Sequence, residues 1–144
     1  MTDKELTIDK ECMTNNWVFN NKPYVPSSDI KGIVYLMEYN NKKYIGKKTI
    51  YDSKNKLTNY QSYYGSSKNW LNFISNDYDN VKRTVLYECA NKIEMSWWED
   101  YMITTTLAVW NEDYFNGNLG MLINTRNSKN FRNKSKIQDL ISKL

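Results

Sequence analysis

Apolar and polar residues alternate most regularly between Gly32 and Lys48, GIVYLMEYNNKKYIGKK. In an extended chain Ile33, Tyr35 and Met37 fall on one side, and Val34, Leu36 and Glu38 on the other. Asn40-Asn41 interrupts the pattern. Asn tolerates positive φ, so the pair favours a hairpin turn. The return strand, Lys42 to Lys48, carries Tyr44-Ile45-Gly46 and brings Tyr44 near Tyr35. A turn at Asp77 to Asn80 precedes a third predicted strand, Val81 to Cys89.

Helical spacing occurs in three places. Ser66 or Ser67 caps a helix running to about Asn76, with Trp70, Phe73 and Ile74 as its stripe. Asn91-Lys92-Ile93-Glu94 has capping-box spacing and opens a longer helix to about Val109. Met95, Trp97, Trp98, Tyr101, Met102, Ile103 and Leu107 are apolar almost all round it, which predicts a buried helix. Ser135-Lys136-Ile137-Gln138 repeats the box spacing before Ile137, Leu140, Ile141 and Leu144, a short amphipathic end helix. Upstream, Trp17 to Pro26 reads as a small hairpin or extended strap turning at Asn20-Asn21, and its prolines bar it from a central strand. Thr49 to Tyr64 is a long polar loop, a kind that is usually functional in a compact domain. The fold class is α/β: a small three-stranded antiparallel sheet flanked by helices. The chain divides into an N-terminal strap (1–30), a core domain (31–120) and a basic C-terminal segment with its helix (121–144).

Composition narrows the chemistry. The 144 residues are 40% hydrophobic and 15% aromatic, enough for one domain with a core built on rings. No His is present, which excludes His-based triads, HNH-type nucleases and His-ligated zinc. Cys12 and Cys89 form no ligand pair and fit a reducing compartment. No signal peptide or membrane-length apolar run is present, so the chain reads as cytoplasmic. The net charge of +4 is mild. The first 29 residues are acid-rich, so the remainder is more basic than the total suggests, which suits a polyanion.

The hairpin resembles the GIY-YIG nuclease family, whose two signature tripeptides sit on adjacent antiparallel strands. Tyr44-Ile45-Gly46 matches the second tripeptide in full. Ile33-Val34-Tyr35 fills the first slot, with its Gly one place early at Gly32. Tyr-Ile-Gly-Lys-Lys together with Tyr64-Gly65-Ser66-Ser67 is similar to a branch common in bacteriophages. The resemblance covers about Gly32 to Asn118. It implies a phage gene product acting on DNA in the host cytoplasm.

Glu99 is the first candidate for a metal ligand. Its helical neighbours Met95, Met102 and Ile103 make an unpaired carboxylate costly there, and a divalent cation is one partner that relieves the cost. A structural ion pair with a lysine or arginine is the other. The resemblance implies the first, with a single Mg²⁺ or Mn²⁺ at Glu99, Tyr35 as general base and Tyr44 lining the site. Glu88 is a weaker metal alternative. An ordinary phenol, with pKa near ~10, needs a nearby cation to act as a base. Lys47 and Lys48 at the strand end are expected to help.

One departure from the family pattern matters. Members carry an Arg on the first helix after the second motif. Here no Arg lies between Tyr44 and Arg83. Lys48, next to the motif, and Lys68, on the predicted helix, are the candidate replacements. Gly65-Ser66-Ser67 is a candidate phosphate cradle, with Ser66 and Ser67 touching DNA. Asn116 matches a Tyr-then-Asn pattern and is expected to position a phosphate or close the site. Arg126, Lys129 and Arg132, in a run with no acid, are candidates for non-specific DNA contact. The expected function is a metal-dependent DNA endonuclease. The alternative is a DNA- or protein-binding module with weak or no cleavage, which the missing Arg favours.

Overall fold

The computed structural model describes residues 17–116, the backbone of Asn118–Leu119 and Ile123–Asn124, and residues 142–143. In chain order the strands are β1 (Val18–Phe19), β2 (Lys22–Pro23), β3 (Gly32–Tyr39), β4 (Lys42–Thr49), β5 (Lys82–Cys89), β6 (Asn118–Leu119) and β7 (Ile123–Asn124). The helices are α1 (Lys68–Ile74) and α2 (Lys92–Thr105).

Both Asn-Asn pairs turn as expected. Asn20, Asn21, Asn40 and Asn41 all hold positive φ, which closes β1–β2 and β3–β4 as tight hairpins. Tyr35 pairs with Gly46, and Met37 with Tyr44. On the far side of β3, β5 runs antiparallel, with an irregularity between Val34 and Tyr35. Val34 faces Tyr87 and Tyr35 faces Val85, so Leu86 is the extra residue of a bulge.

The sheet has five strands rather than the three expected, in the order β2-β1-β5-β3-β4. The strap supplies the difference. β1 joins β5 in parallel through Val18 and Thr84. Pro23 stays on the outermost strand, where a missing N–H is tolerated. Side chains then lock the strap down. Trp17 Nε1 donates to the Tyr60 carbonyl at 2.8 Å. The Glu88 carboxylate accepts from the Tyr24 hydroxyl and from the backbone and hydroxyl of Ser27. Glu88 is thus a strap anchor and not a spare metal ligand.

The two faces of the sheet carry separate cores. Ile33, Tyr35 and Met37 meet Trp17, Tyr60, Trp70 and Ile74 on the α1 face. Val34 and Ile45 meet Cys89, Met95 and Ile103 on the α2 face. Ser67 caps α1 and Asn91 caps α2, each accepting from the backbone N–H three residues on. α2 stops at Thr105, short of the expected Val109, because Leu107 turns left-handed before a 3-10 turn at Ala108–Trp110.

The expectation of a buried α2 is overturned. Met95 and Ile103 are buried, while Ile93, Trp97 and Tyr101 lie on the open face. Trp97 stacks on Tyr101 at 5.3 Å and packs edge-on to Trp98, so Trp97 and Tyr101 cover each other while Trp98 packs onto the core. Among the described residues no helix is long and apolar enough to cross a membrane. The expected C-terminal helix lies outside the residues whose structure is described, apart from 142–143.

Candidate active site

Strand β4 is an edge of the sheet, and its first half is sealed. Lys43 exchanges backbone bonds with Asp113 and Phe115. Buried Asn116 bonds both polar groups of Ile45. Its Oδ1 accepts from the Ile45 N–H at 2.9 Å, and its Nδ2 donates to the Ile45 carbonyl at 2.6 Å. Asn116 thus clamps the β4 backbone at Ile45, with one Nδ2 hydrogen left over. Among the described residues this backbone seal ends at Ile45; Gly46 is itself buried, Lys47 is exposed, and the Thr49 carbonyl accepts from Thr58 Oγ1 at 2.6 Å.

The Tyr35 ring lies against Gly46 on the α1 face. It is fully buried, edge-on to Trp17 at 5.3 Å and to Tyr63 at 6.0 Å, and 6.2 Å from Tyr44. Its hydroxyl lies over Gly46, where a Cβ would collide with it. The Gly of the second motif thus makes room for the Tyr of the first. Gly32 has a parallel reason, since a Cβ there would strike Met95 and the Lys48 carbonyl. The Tyr35 hydroxyl donates to the Tyr63 hydroxyl at 3.5 Å, a long bond. The Tyr44 ring stacks on Trp70 at 5.7 Å.

Burial sets the protonation of these phenols. It holds Tyr35 well above the ordinary tyrosine value, with Tyr63, Tyr44 and Glu99 adding to the effect. It raises Tyr44 as well, against a lowering contribution from Ser66. The lysines therefore do not by themselves bring Tyr35 toward phenolate, contrary to expectation. The two lysines after the motif take opposite faces, as neighbours on a strand must. Lys48 sits 4.4 Å over the Tyr63 ring and donates to Asn59 Oδ1 at 3.0 Å, and burial lowers its pKa. Lys47 turns to α2, donating to Ser96 Oγ at 2.8 Å and pairing with Glu99 at 3.8 Å.

Glu99 comes from the other face. Its side chain is only 21% exposed, and burial raises its pKa, partly offset by Lys47. It is near enough to Tyr35 and Tyr44 to raise both electrostatically. Among the described residues no group of three or more His, Cys, Asp or Glu forms a cage. A lone, half-desolvated carboxylate fits a Mg²⁺-like ion, which keeps several waters and uses one or two carboxylates. It does not fit a zinc-type cage.

A family model described as "Putative endonuclease segE, GIY-YIG domain" matches residues 17–119. The chain belongs to the GIY-YIG endonuclease family. Comparisons with curated proteins and with solved structures return no match. The matched span begins at Trp17, the residue that ties the strap to Tyr60, so the GIY-YIG domain here takes in the strap strands.

Other sequence candidates fall in varied places. Ser67 is occupied in capping α1 through the Trp70 N–H at 3.4 Å. Ser66 is exposed beside Tyr44, and Lys68 is exposed on the first turn of α1. Arg83 is 1% exposed, donates to the Gln61 and Tyr63 carbonyls, and lies between the Trp17 and Tyr64 rings. It shapes the loop that carries Tyr63. Arg126, Lys129 and Arg132 lie outside the described residues. Sequence reasoning missed Tyr63 as a third phenol at the site, and Lys47 as the partner of Glu99. Strand alternation alone places Lys47 across from Val34, on the α2 face.

Proposed function

We propose that this GIY-YIG chain is a divalent-metal-dependent endonuclease that hydrolyses DNA phosphodiesters. The observation that carries the reading is the approach of two faces at Gly46 and Lys47 of the edge strand β4. The Tyr35 hydroxyl lies over Gly46 on the α1 face, and the Lys47–Glu99 pair stands on the α2 face at the next residue of β4. Glu99 would hold a hydrated Mg²⁺ or Mn²⁺, which supplies positive charge at the phosphate when bound. Tyr35 orients the attacking water and, as the phenolate that a cation at Glu99 would favour, takes its proton, directly or through a second water. Tyr44 and Tyr63 hold that hydroxyl in place. Lys48, over Tyr63, supplies charge for the non-bridging oxygens in place of the absent Arg. Ser66 is the exposed hydroxyl nearest Tyr44 for a DNA contact. The Tyr-Ile-Gly-Lys-Lys motif supports a phage gene product working in the host cytoplasm.

The second reading is a binding module with weak or no cleavage. It is favoured by the Lys47–Glu99 pair, which already occupies the carboxylate, and by the elevated pKa of Tyr35. Incubating the pure protein with supercoiled plasmid, with and without Mg²⁺ or Mn²⁺, separates the two. Nicked or linear product only with the ion supports the nuclease. DNA binding without product in either ion supports the module.

A further inference from the structure

The motif lysine that turns away from Tyr35 opens onto a cleft of about 400 Å³, lined by Lys47, Lys48, Thr49, Lys92, Met95 and Ser96. Three lysines and no acid line it, between the end of β4 and the first turns of α2. The Lys48 ammonium is committed to Asn59 and the Tyr63 ring on the other face, so only its stem belongs here. Lys47 and Lys92 supply the cleft's charge. Lys47 is held in place by its bond to the Ser96 oxygen, which leaves the Ser96 hydroxyl proton to donate.

We propose that this cleft binds a second backbone phosphate of DNA, next to the one at Tyr35 and Glu99, through Lys47, Lys92 and Ser96. The proposal rests on the nuclease reading and deepens it. Lys47 and Lys48 project from one strand end to opposite faces. A polyanion crossing the open end of β4 therefore meets Lys48 on one side and Lys47 on the other. Two ammonium groups and one hydroxyl on an open rim suit the single charge and two free oxygens of a phosphodiester. The apolar floor at Met95 suits a sugar. Lys47 is shared between this phosphate and Glu99, so engagement of the cleft draws the cation away from the carboxylate.

The test measures affinity of the full chain for a short duplex against salt concentration, in EDTA. Each phosphate contact contributes about −0.9 to the slope of log K against log salt. Lys47→Gln with Lys92→Gln is expected to make the slope shallower by about one such contact or more. Lys54→Gln with Lys56→Gln, equal in charge and on an exposed loop, should leave it unchanged. Equal slopes for the two double variants would overturn the proposal. Wild type that binds no DNA at all would instead overturn the nuclease reading on which it rests. Inorganic phosphate is the second arm. Stabilisation of wild type by millimolar phosphate that vanishes in the Lys47/Lys92 variant, with an unchanged DNA slope, would assign the cleft to free phosphate and also overturn the proposal.

Discussion

The two faces of the sheet solve opposite problems. The α1 face is dry and built on rings: Trp17, Tyr24, Tyr35, Tyr60 and Trp70 fill it. On this face buried Arg83 donates to two carbonyls and lies against two ring faces. The α2 face is smaller and aliphatic, with Val34, Ile45, Met95 and Ile103 at its centre and the Lys47–Glu99 pair at its rim. A closed ring face holds phenols in fixed orientation but disfavours their ionisation. A half-open aliphatic face keeps a carboxylate accessible but cannot orient a phenol. The proposed catalysis at the β4 edge needs both properties, and Gly46 is the position where the strand leaves room for the Tyr35 hydroxyl.

The largest expected effect tests the α2 face. Glu99→Gln should reduce plasmid cleavage below detection while leaving the melting temperature at neutral pH unchanged or higher. The sign follows from burial, which raises the folded pKa of Glu99. Its stabilising contribution is present below the unfolded carboxylate range and lost as pH rises through the folded value. The neutral amide has no such loss, so its stability advantage should shrink as pH falls into the acid range. A variant that cleaves at the native rate removes Glu99 from the site.

Next is the ring face. Tyr35→Phe should lower single-turnover cleavage by about 10²–10⁴-fold with little change in stability, since the hydroxyl makes only a long bond to Tyr63. Lys54→Ala is the control, and equal rates in the two would exclude Tyr35 from the chemistry. Lys48→Ala should cost about 10²–10³-fold, as for loss of one electrostatic donor, while exposed Lys68→Ala stays near wild type. The reverse order would return the role of the missing Arg to α1. The smallest effects compare one residue type on both faces. Trp70→Ala should destabilise by about 3–5 kcal/mol, because the ring is fully buried. Trp97→Ala should cost no more than about 1 kcal/mol, the worth of its ring contacts. Chemical denaturation measures both, and similar losses would mean that the outer face of α2 is covered.

What the sequence made legible was local. Alternation located β3 and β4 and sorted Ile33, Tyr35 and Met37 from Val34 and Leu36. Asn-Asn pairs marked the turns, and Ser67 and Asn91 marked the helix starts. What it hid was long-range. The parallel pairing of Val18 with Thr84 leaves no period in either segment, so two strands of the sheet were missed. Hydropathy counted Trp97 and Tyr101 as core because it cannot tell rings that cover each other from rings that cover a core. Arg83 is buried by partners 20 and 22 residues away in the chain, and a cation held by carbonyls and rings has no charge pattern to betray it. The role of Asn116 depends on an edge strand 71 residues upstream.

On the proposed reading Tyr35 and Glu99, from opposite faces, act in one step at the edge strand β4. A double-mutant cycle tests it most directly: single-turnover DNA cleavage by wild type, Tyr35→Phe, Glu99→Gln and the double variant, at saturating Mg²⁺ and with enough enzyme to quantify residual rates. Groups that act as a unit lose their effects non-additively. The predicted result is a double variant no slower than Glu99→Gln alone. Losses that multiply, or a Tyr35→Phe rate equal to wild type, would contradict the claim.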